Sequence, residues 1–201
     1  MSRPPAGRRR RRLGRGFYGR DPREVAPDLL GKLLVRGGRA GRIVEVEAYC
    51  GPIDPGSHAY RGPTRRNATM FGRPGLLYVY FTYGMHWCAN AVCGEEGEGV
   101  AVLLRALAPV AGLDEMRACR PAARRDVDLC SGPAKLCQAF GLDGGHDGAD
   151  LVRADRGVTV VDDGVAPPAD PVVGNRIGLT RGAEHPWRWY VPGDPHVSRP
   201  R

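Results

Sequence analysis

Between Leu76 and Asn90 the chain reads LLYVYFTYGMHWCAN, and this stretch limits the possible folds more than any other. Leu77 to Thr82 and His86 to Val92 are rich in β-forming residues and flank Tyr83-Gly84-Met85, a glycine-centred turn, so the segment is predicted to double back as an antiparallel hairpin. Period-two alternation then puts Tyr78 and Tyr80 on one face, Val79 and Phe81 on the other, and Tyr83 at the turn. Aromatic residues make up only 7% of the chain, so their crowding here asks for a reason beyond packing.

Other segments read as further strands. RIVEVEAY alternates, with Val44, Val46 and Ala48 on one face and Glu45, Glu47 and Tyr49 on the other; in an ordinary half-solvated strand those glutamates face water. VAVLLRALAPV places Arg105 among Val102, Leu103, Leu104 and Leu107, and an arginine in that company is either paired or borders a cleft. GVTVVDDG and VVGNRIGLTRGAEHPWRWYV read as closing strands around an arginine-bearing loop at Asn175 and Arg176.

The expected helices are few. In YGRDPREVAPDLLGKLLVR, Asp21 is placed as N-cap, Pro22 as the first helical residue and Glu24 as capping-box partner. Val25, Leu29, Leu30 and Leu33 form an apolar stripe there, with Pro27 limiting the run. A second helix is predicted in DLCSGPAKLCQAFGLDGG, with Ser131 as N-cap, Pro133 in the first turn and Gly141 past the end. Its start, Ser131 to Lys135, offers amides and a lysine to an anion, and ordinary capping explains the same residues.

A chain of 201 residues supports one domain with one core. No apolar run approaches the ~20 residues of a membrane span and no secretory leader is legible, which places the protein in the cytosol without a membrane partner. The net charge is +8 and arginine supplies nearly all the positive charge, with Lys32 and Lys135 the exceptions. Guanidinium groups bind phosphate bidentately and stack on bases, so nucleic acid is the natural partner; arginine-biased coding is the other explanation. Met1 to Gly16, closing with GRRRRRLGRG, is expected to be a disordered arm, and residues 17–201 the folded domain. Cys50, Cys88, Cys93, Cys119, Cys130 and Cys137 lack the C-x-x-C spacing of a zinc or redox site and read as buried thiols, although His86 and Cys88 could pair as ligands. No metal or cofactor is expected. The one G-x-G-x-x-G match, GRGFYG, follows the arginine run rather than a strand and is read as chance.

The connection CGPIDPGSHAYRGPTRRNATMFGRPG carries His58, Arg61, Arg65, Arg66 and Asn67, and loops of this length are usually functional or disordered. A carboxylate beside a tyrosine (Glu47, Tyr49), a histidine in a basic loop and an aromatic hairpin suit the handling of nucleobases better than phosphate transfer.

These residues resemble a known family. EVEAYCGPIDPGSHAYRG, RNATMFGRPGLLYVYFTYGMHWCAN, VLLRALAP and LCSGPAKLCQA are similar, in order, to motifs of the alkyladenine (3-methyladenine) DNA glycosylases, the family distinct from the helix-hairpin-helix glycosylases, from about Phe17 to about Val197. The resemblance implies a mixed α/β (α+β) fold: a single compact domain with a curved, partly open, barrel-like antiparallel sheet, flanking helices and a protruding hairpin. It implies a cofactor-free, monomeric and monofunctional enzyme that excises alkylated or deaminated purines from duplex DNA. Glu47 matches the catalytic base and Arg105 the arginine that helps to hold the attacking water; Tyr49, His58, Tyr80 and Asn90 match the base pocket, and Tyr83 the residue that enters the DNA stack. Arg61, Arg65, Arg66, Lys135 and Arg176 are candidates for backbone contacts. RGPTRRN departs from the bacterial pattern, which tends to have arginine at position 63 and proline at position 65. A non-catalytic DNA- or RNA-binding protein, or a nucleoside hydrolase acting on monomers, would be the competing readings.

Overall fold

The computed structural model describes residues 10–198 of the chain. Its strands are β1 (Arg11–Arg12), β2 (Leu33–Arg36), β3 (Arg39–Cys50), β4 (Leu76–Thr82), β5 (His86–Cys93), β6 (Val100–Ala111), β7 (Ala149–Asp150), β8 (Val158–Asp162), β9 (Val172–Gly174) and β10 (Arg188–Tyr190). The α-helices among the described residues are α1 (Arg15–Tyr18), α2 (Pro22–Leu29), α3 (Leu113–Cys119) and α4 (Pro133–Phe140). The sheet runs β1-β8-β2-β3-β6-β5-β4-β7 and curls into a half-barrel, with β10 joining β3 to β9. All these pairings are antiparallel, in agreement with the expected α+β class.

Strand β3 organises the molecule. Along one edge it pairs with β6 from Ala40 to Cys50; along the other, Arg39 to Arg42 pair with β2 and Glu45 to Glu47 with β10. One sheet face buries Val46, Ala48, Ala89, Ala91, Leu104 and Leu107 against Val25 and Leu29 of α2, Met116 of α3 and Phe140 of α4. The opposite face carries Tyr78, Val92 and Ala101, packed with Ala59 and Met70 of the 51–75 connection and edged by Tyr49 and Tyr80.

Besides a shift between Ala40 and Gly41, two compensating irregularities interrupt the β3–β6 ladder. Ile43 faces Leu107 and Glu45 faces Ala106, so β3 has an extra residue at Val44; Val46 then faces Leu104, so β6 has an extra residue at Arg105. The first resets the side-chain alternation, and Ile43 rather than Val44 joins Val46 and Ala48 in the main core. The glutamates expected to face water in a half-solvated strand are fully buried.

Several local expectations are corrected. Asp21 does cap α2, but its carboxylate accepts from the Arg23 amide and is gripped by the Arg23 guanidinium, which takes the place of the expected capping box with Glu24. Helix α2 contains Pro27 and ends at Leu29, so Leu33 belongs to β2. Helix α4 is capped by Gly132 rather than Ser131, at a φ of 148° that a side chain would resist, and it closes at Gly141 with the expected left-handed φ of 65°. Residues 10–16, assigned from sequence to the arm, enter the fold: Arg11 and Arg12 pair with β8, Leu13 is buried, and Arg15 forms an ion pair with Asp150. The remainder of that expected arm, Met1 to Arg9, lies outside the described residues.

Candidate active site

A cavity of about 280 Å³ opens between the β4–β5 hairpin, the 51–75 connection and the loop after β9. Hairpin alternation brings Tyr78 and Tyr80 to the same side, where their rings stack with centroids 5.3 Å apart. His58 meets Tyr80 edge-on at 4.4 Å, and its Nδ1 lies 3.1 Å from the Tyr78 hydroxyl. Partial desolvation, then the nearby Arg66 charge, lowers the His58 pKa from its ordinary value and so favours the neutral imidazole. Tyr49 forms another part of the wall, with the Arg176 guanidinium 4.7 Å from its ring centroid. Asn90, 4% exposed, donates from its side-chain amide to the Tyr78 carbonyl at 3.2 Å and also borders the cavity.

Glu47 reaches this space through three lining residues, Tyr49, Arg105 and Ile177. Its Oε1 accepts the Ile177 amide at 2.8 Å and lies 3.0 Å from Arg105 Nη1; its Oε2 accepts the Tyr49 hydroxyl at 3.0 Å. Glu47 itself is fully buried and stands behind the cavity wall that these three residues form. Burial raises the Glu47 carboxyl above its ordinary range, against the pull of Arg105, the Ile177 amide and Tyr49. The result is an oriented base in dry surroundings beside an aromatic box.

At the hairpin tip Tyr83 is 80% exposed and holds φ at 51°. Gly84 follows at 66°, and the Met85 amide donates to the Thr82 carbonyl at 3.2 Å, so a primed turn sets the tyrosine outward at the cavity mouth.

The other predicted residues separate into two groups. Arg61, Arg65 and Arg66 are exposed, and Arg66 Nη2 also donates to the Phe81 carbonyl at 2.7 Å. Lys135 donates to Ser131 Oγ at 3.1 Å within a neighbouring groove of about 630 Å³ that also holds Arg120 and Arg125 and shares Arg105 with the first cavity. Arg176 is a correction. Its side chain is wholly buried, paired with Asp54 at 2.5 and 2.7 Å and bonded to the carbonyls of Ala48 and Gly182, so no DNA phosphate can reach it.

Further residues take part that sequence reasoning does not single out. Tyr78 supports both His58 and Tyr80, and Asp54 holds Arg176 next to the residue whose amide meets Glu47. Asp54 is the one acidic residue in the long basic connection, and that isolation was the available signal. In the divergent RGPTRRN loop, Asn67 accepts from the Thr64 amide and hydroxyl and donates to the carbonyls of His58 and Gly62, so the loop is tied down beside His58. Among the described residues no group of three or more His, Cys, Asp or Glu is arranged to hold a metal ion, and no helix is long and apolar enough to cross a membrane.

The chain is similar to known proteins. A protein of Burkholderia lata with the name "Putative 3-methyladenine DNA glycosylase" is 61% identical over 189 residues, covering 94% of this chain and 91% of its own. Proteins of the same name from Streptomyces avermitilis and Rhodopseudomonas palustris (strain HaA2) are 49% and 47% identical, covering 92% and 94% of this chain and 90% of their own in each case. The family model described as Methylpurine-DNA glycosylase (MPG) matches residues 16–195, from α1 through the Glu47 strand and the hairpin to the segment beyond β10, and this chain belongs to that family.

Proposed function

We propose that the protein is a monofunctional DNA glycosylase that extrudes damaged purines from duplex DNA and hydrolyses their glycosidic bond. The observation that carries this reading is the buried Glu47 carboxylate, held by Tyr49, Arg105 and the Ile177 amide, three residues that line an aromatic cavity. As the bond to the base breaks, the sugar becomes oxocarbenium-like, and a carboxylate both stabilises that cation and takes a proton from the attacking water. Glu47 is the general base, and Arg105 orients it and shares the water.

Tyr49, Tyr80 and His58 stack on and hydrogen-bond the extruded purine. A neutral imidazole admits a cationic alkylpurine without charge repulsion, and aromatic faces attract it. Asn90 crowds the position of the guanine 2-amino group. Tyr83 enters the duplex and fills the gap left by the extruded nucleotide, while Arg61, Arg65, Arg66 and Lys135 contact phosphates. Alkylated and deaminated purines, of the 3-methyladenine, 7-methylguanine and hypoxanthine kinds, are the substrates. The enzyme acts as a monomer on the bacterial nucleoid, with residues 17–201 as its functional domain.

Water as nucleophile implies base release without strand cleavage. The deciding experiment measures free base from a duplex containing hypoxanthine or 3-methyladenine, with Glu47→Gln alongside. Release by the parent and a loss of at least about a thousandfold in the variant are expected, with lesion binding retained. No release by the parent favours a non-catalytic nucleic-acid-binding protein, and a borohydride-trapped protein–DNA adduct would show an amine nucleophile instead.

A further inference from the structure

Arg105 is held by far more than Glu47. Its Nε donates to Glu45 Oε1 at 2.9 Å and its Nη2 to Ser198 Oγ at 3.2 Å, while Nη1 lies 3.0 Å from Glu47 Oε1. Glu45 is completely buried and accepts four hydrogen bonds: Oε1 takes Arg105 Nε, Arg188 Nε at 2.7 Å and the Ser198 hydroxyl at 2.9 Å, and Oε2 takes the Ser198 amide at 2.7 Å. The charges balance, with Arg188 answering Glu45, so that the Arg105 charge remains for Glu47.

This arrangement is poorly explained by stability alone, because buried ion networks are often matched or bettered by well-packed apolar residues. Orientation explains it better. Arg105 is the extra residue of β6 at the ladder irregularity, where regular strand alternation does not fix the side chain's direction. Its direction is set instead by Glu45 on β3 and by Ser198, which arrives from the far end of the described chain.

We propose that Glu45 and Ser198 are positioning residues that aim the Arg105 guanidinium at Glu47, so that the C-terminal segment completes the site. The proposal rests on the reading of Glu47 as general base. It assigns a role to the glutamate of EVEAY that has no contact with the cavity, and it makes residues after β10 necessary to a reaction at β3.

The test compares the parent, Glu47→Gln, Ser198→Ala and Glu45→Gln under single-turnover conditions. Ser198→Ala keeps the backbone amide and removes only the hydroxyl, with its bonds to Arg105 and Glu45; excision should fall about tenfold at a temperature where the variant is fully folded, while duplex affinity stays near the parent's and the melting temperature drops by only a few degrees. Glu47 faces Arg105, the Tyr49 hydroxyl, the Ile177 amide and, at longer range, Glu45. With Arg105 no longer aimed at it, Glu47 loses the cation that favours its ionised form, so the acidic limb of the Glu45→Gln rate profile should move to higher pH; a move to lower pH is the direct effect of the lost Glu45 charge with Arg105 still in place, and it overturns the positioning role. Ser198→Ala at the parental rate, a loss that follows the fraction unfolded, or an unshifted Glu45→Gln profile overturns the positioning role while leaving Glu47 as base. A parent that releases no base, or a Glu47→Gln variant as fast as the parent, overturns the general-base reading, and the proposal with it.

Discussion

Arg176 and Asp54 form a two-pronged ion pair, 2.5 and 2.7 Å, in which both side chains are sealed from solvent. The pair spans the connection after β3 and the loop after β9, and it backs the Tyr49 ring. Removing one partner leaves the other charged and buried, at a cost of about 3–5 kcal/mol. Arg176→Met should therefore lower the melting temperature sharply, while the salt dependence of DNA binding keeps the parental slope because no phosphate contact is lost. A shallower salt slope with unchanged stability would return Arg176 to the DNA interface.

The pH dependence of excision follows from Glu47. Burial raises its carboxyl, and the base works only when ionised, so the rate should climb as pH rises through that elevated value. The acidic limb should lie above the ~4.3 of an unperturbed glutamate. A single-turnover profile on a hypoxanthine duplex checks this, and a limb at or below the ordinary value would mean that the carboxylate is better solvated than its contacts imply.

Tyr83→Ser should slow excision from duplex DNA more than from single strands. Unstacking and extruding a paired base costs roughly a few kcal/mol, which the wedge offsets and a single strand does not require. Equal losses on both substrates would place Tyr83 in the pocket's chemistry or in the fold.

Asn90→Ser tests selectivity with a built-in control. The shorter side chain opens space where a guanine amine would sit and gives up the bond to the Tyr78 carbonyl, worth about 1 kcal/mol or roughly 2–4 °C in melting temperature. Increased guanine release with hypoxanthine excision retained supports steric exclusion. The drop in melting temperature without new guanine release would make Asn90 a strand clip only.

The hairpin and the Arg105 strand were legible in the sequence because alternation, turn chemistry and an arginine among aliphatics are local signals. The resemblance of motifs picks out Glu47, Tyr49, His58, Tyr80 and Asn90; the fold sets the last four around one cavity, with Glu47 bonded to Tyr49 behind its wall. What escaped depends on partners far away in sequence. Glu45 and Glu47 look alike in EVEAY, yet the Arg188 side chain and Ser198 bind the first carboxylate, whereas Tyr49 and Ile177 of the cavity wall bind the second. Arg176 looked available because an arginine in a loop usually is, and only the folded chain reveals Asp54 against it. Composition extends the arm too far, because it cannot register the pairing of Arg11 and Arg12 with β8.

Tyr83 sits where a primed turn calls for a left-handed residue, a place that asparagine or glycine fills with little strain and a tyrosine occupies at a penalty of about 1–2 kcal/mol. Selection for thermostability alone would therefore favour Tyr83→Asn, and so would consensus design of the turn. On the proposed reading the winners of such a screen would melt later and repair less. The tip of the hairpin is where fitness of the fold and fitness of the enzyme diverge, and its tyrosine records which of them prevailed.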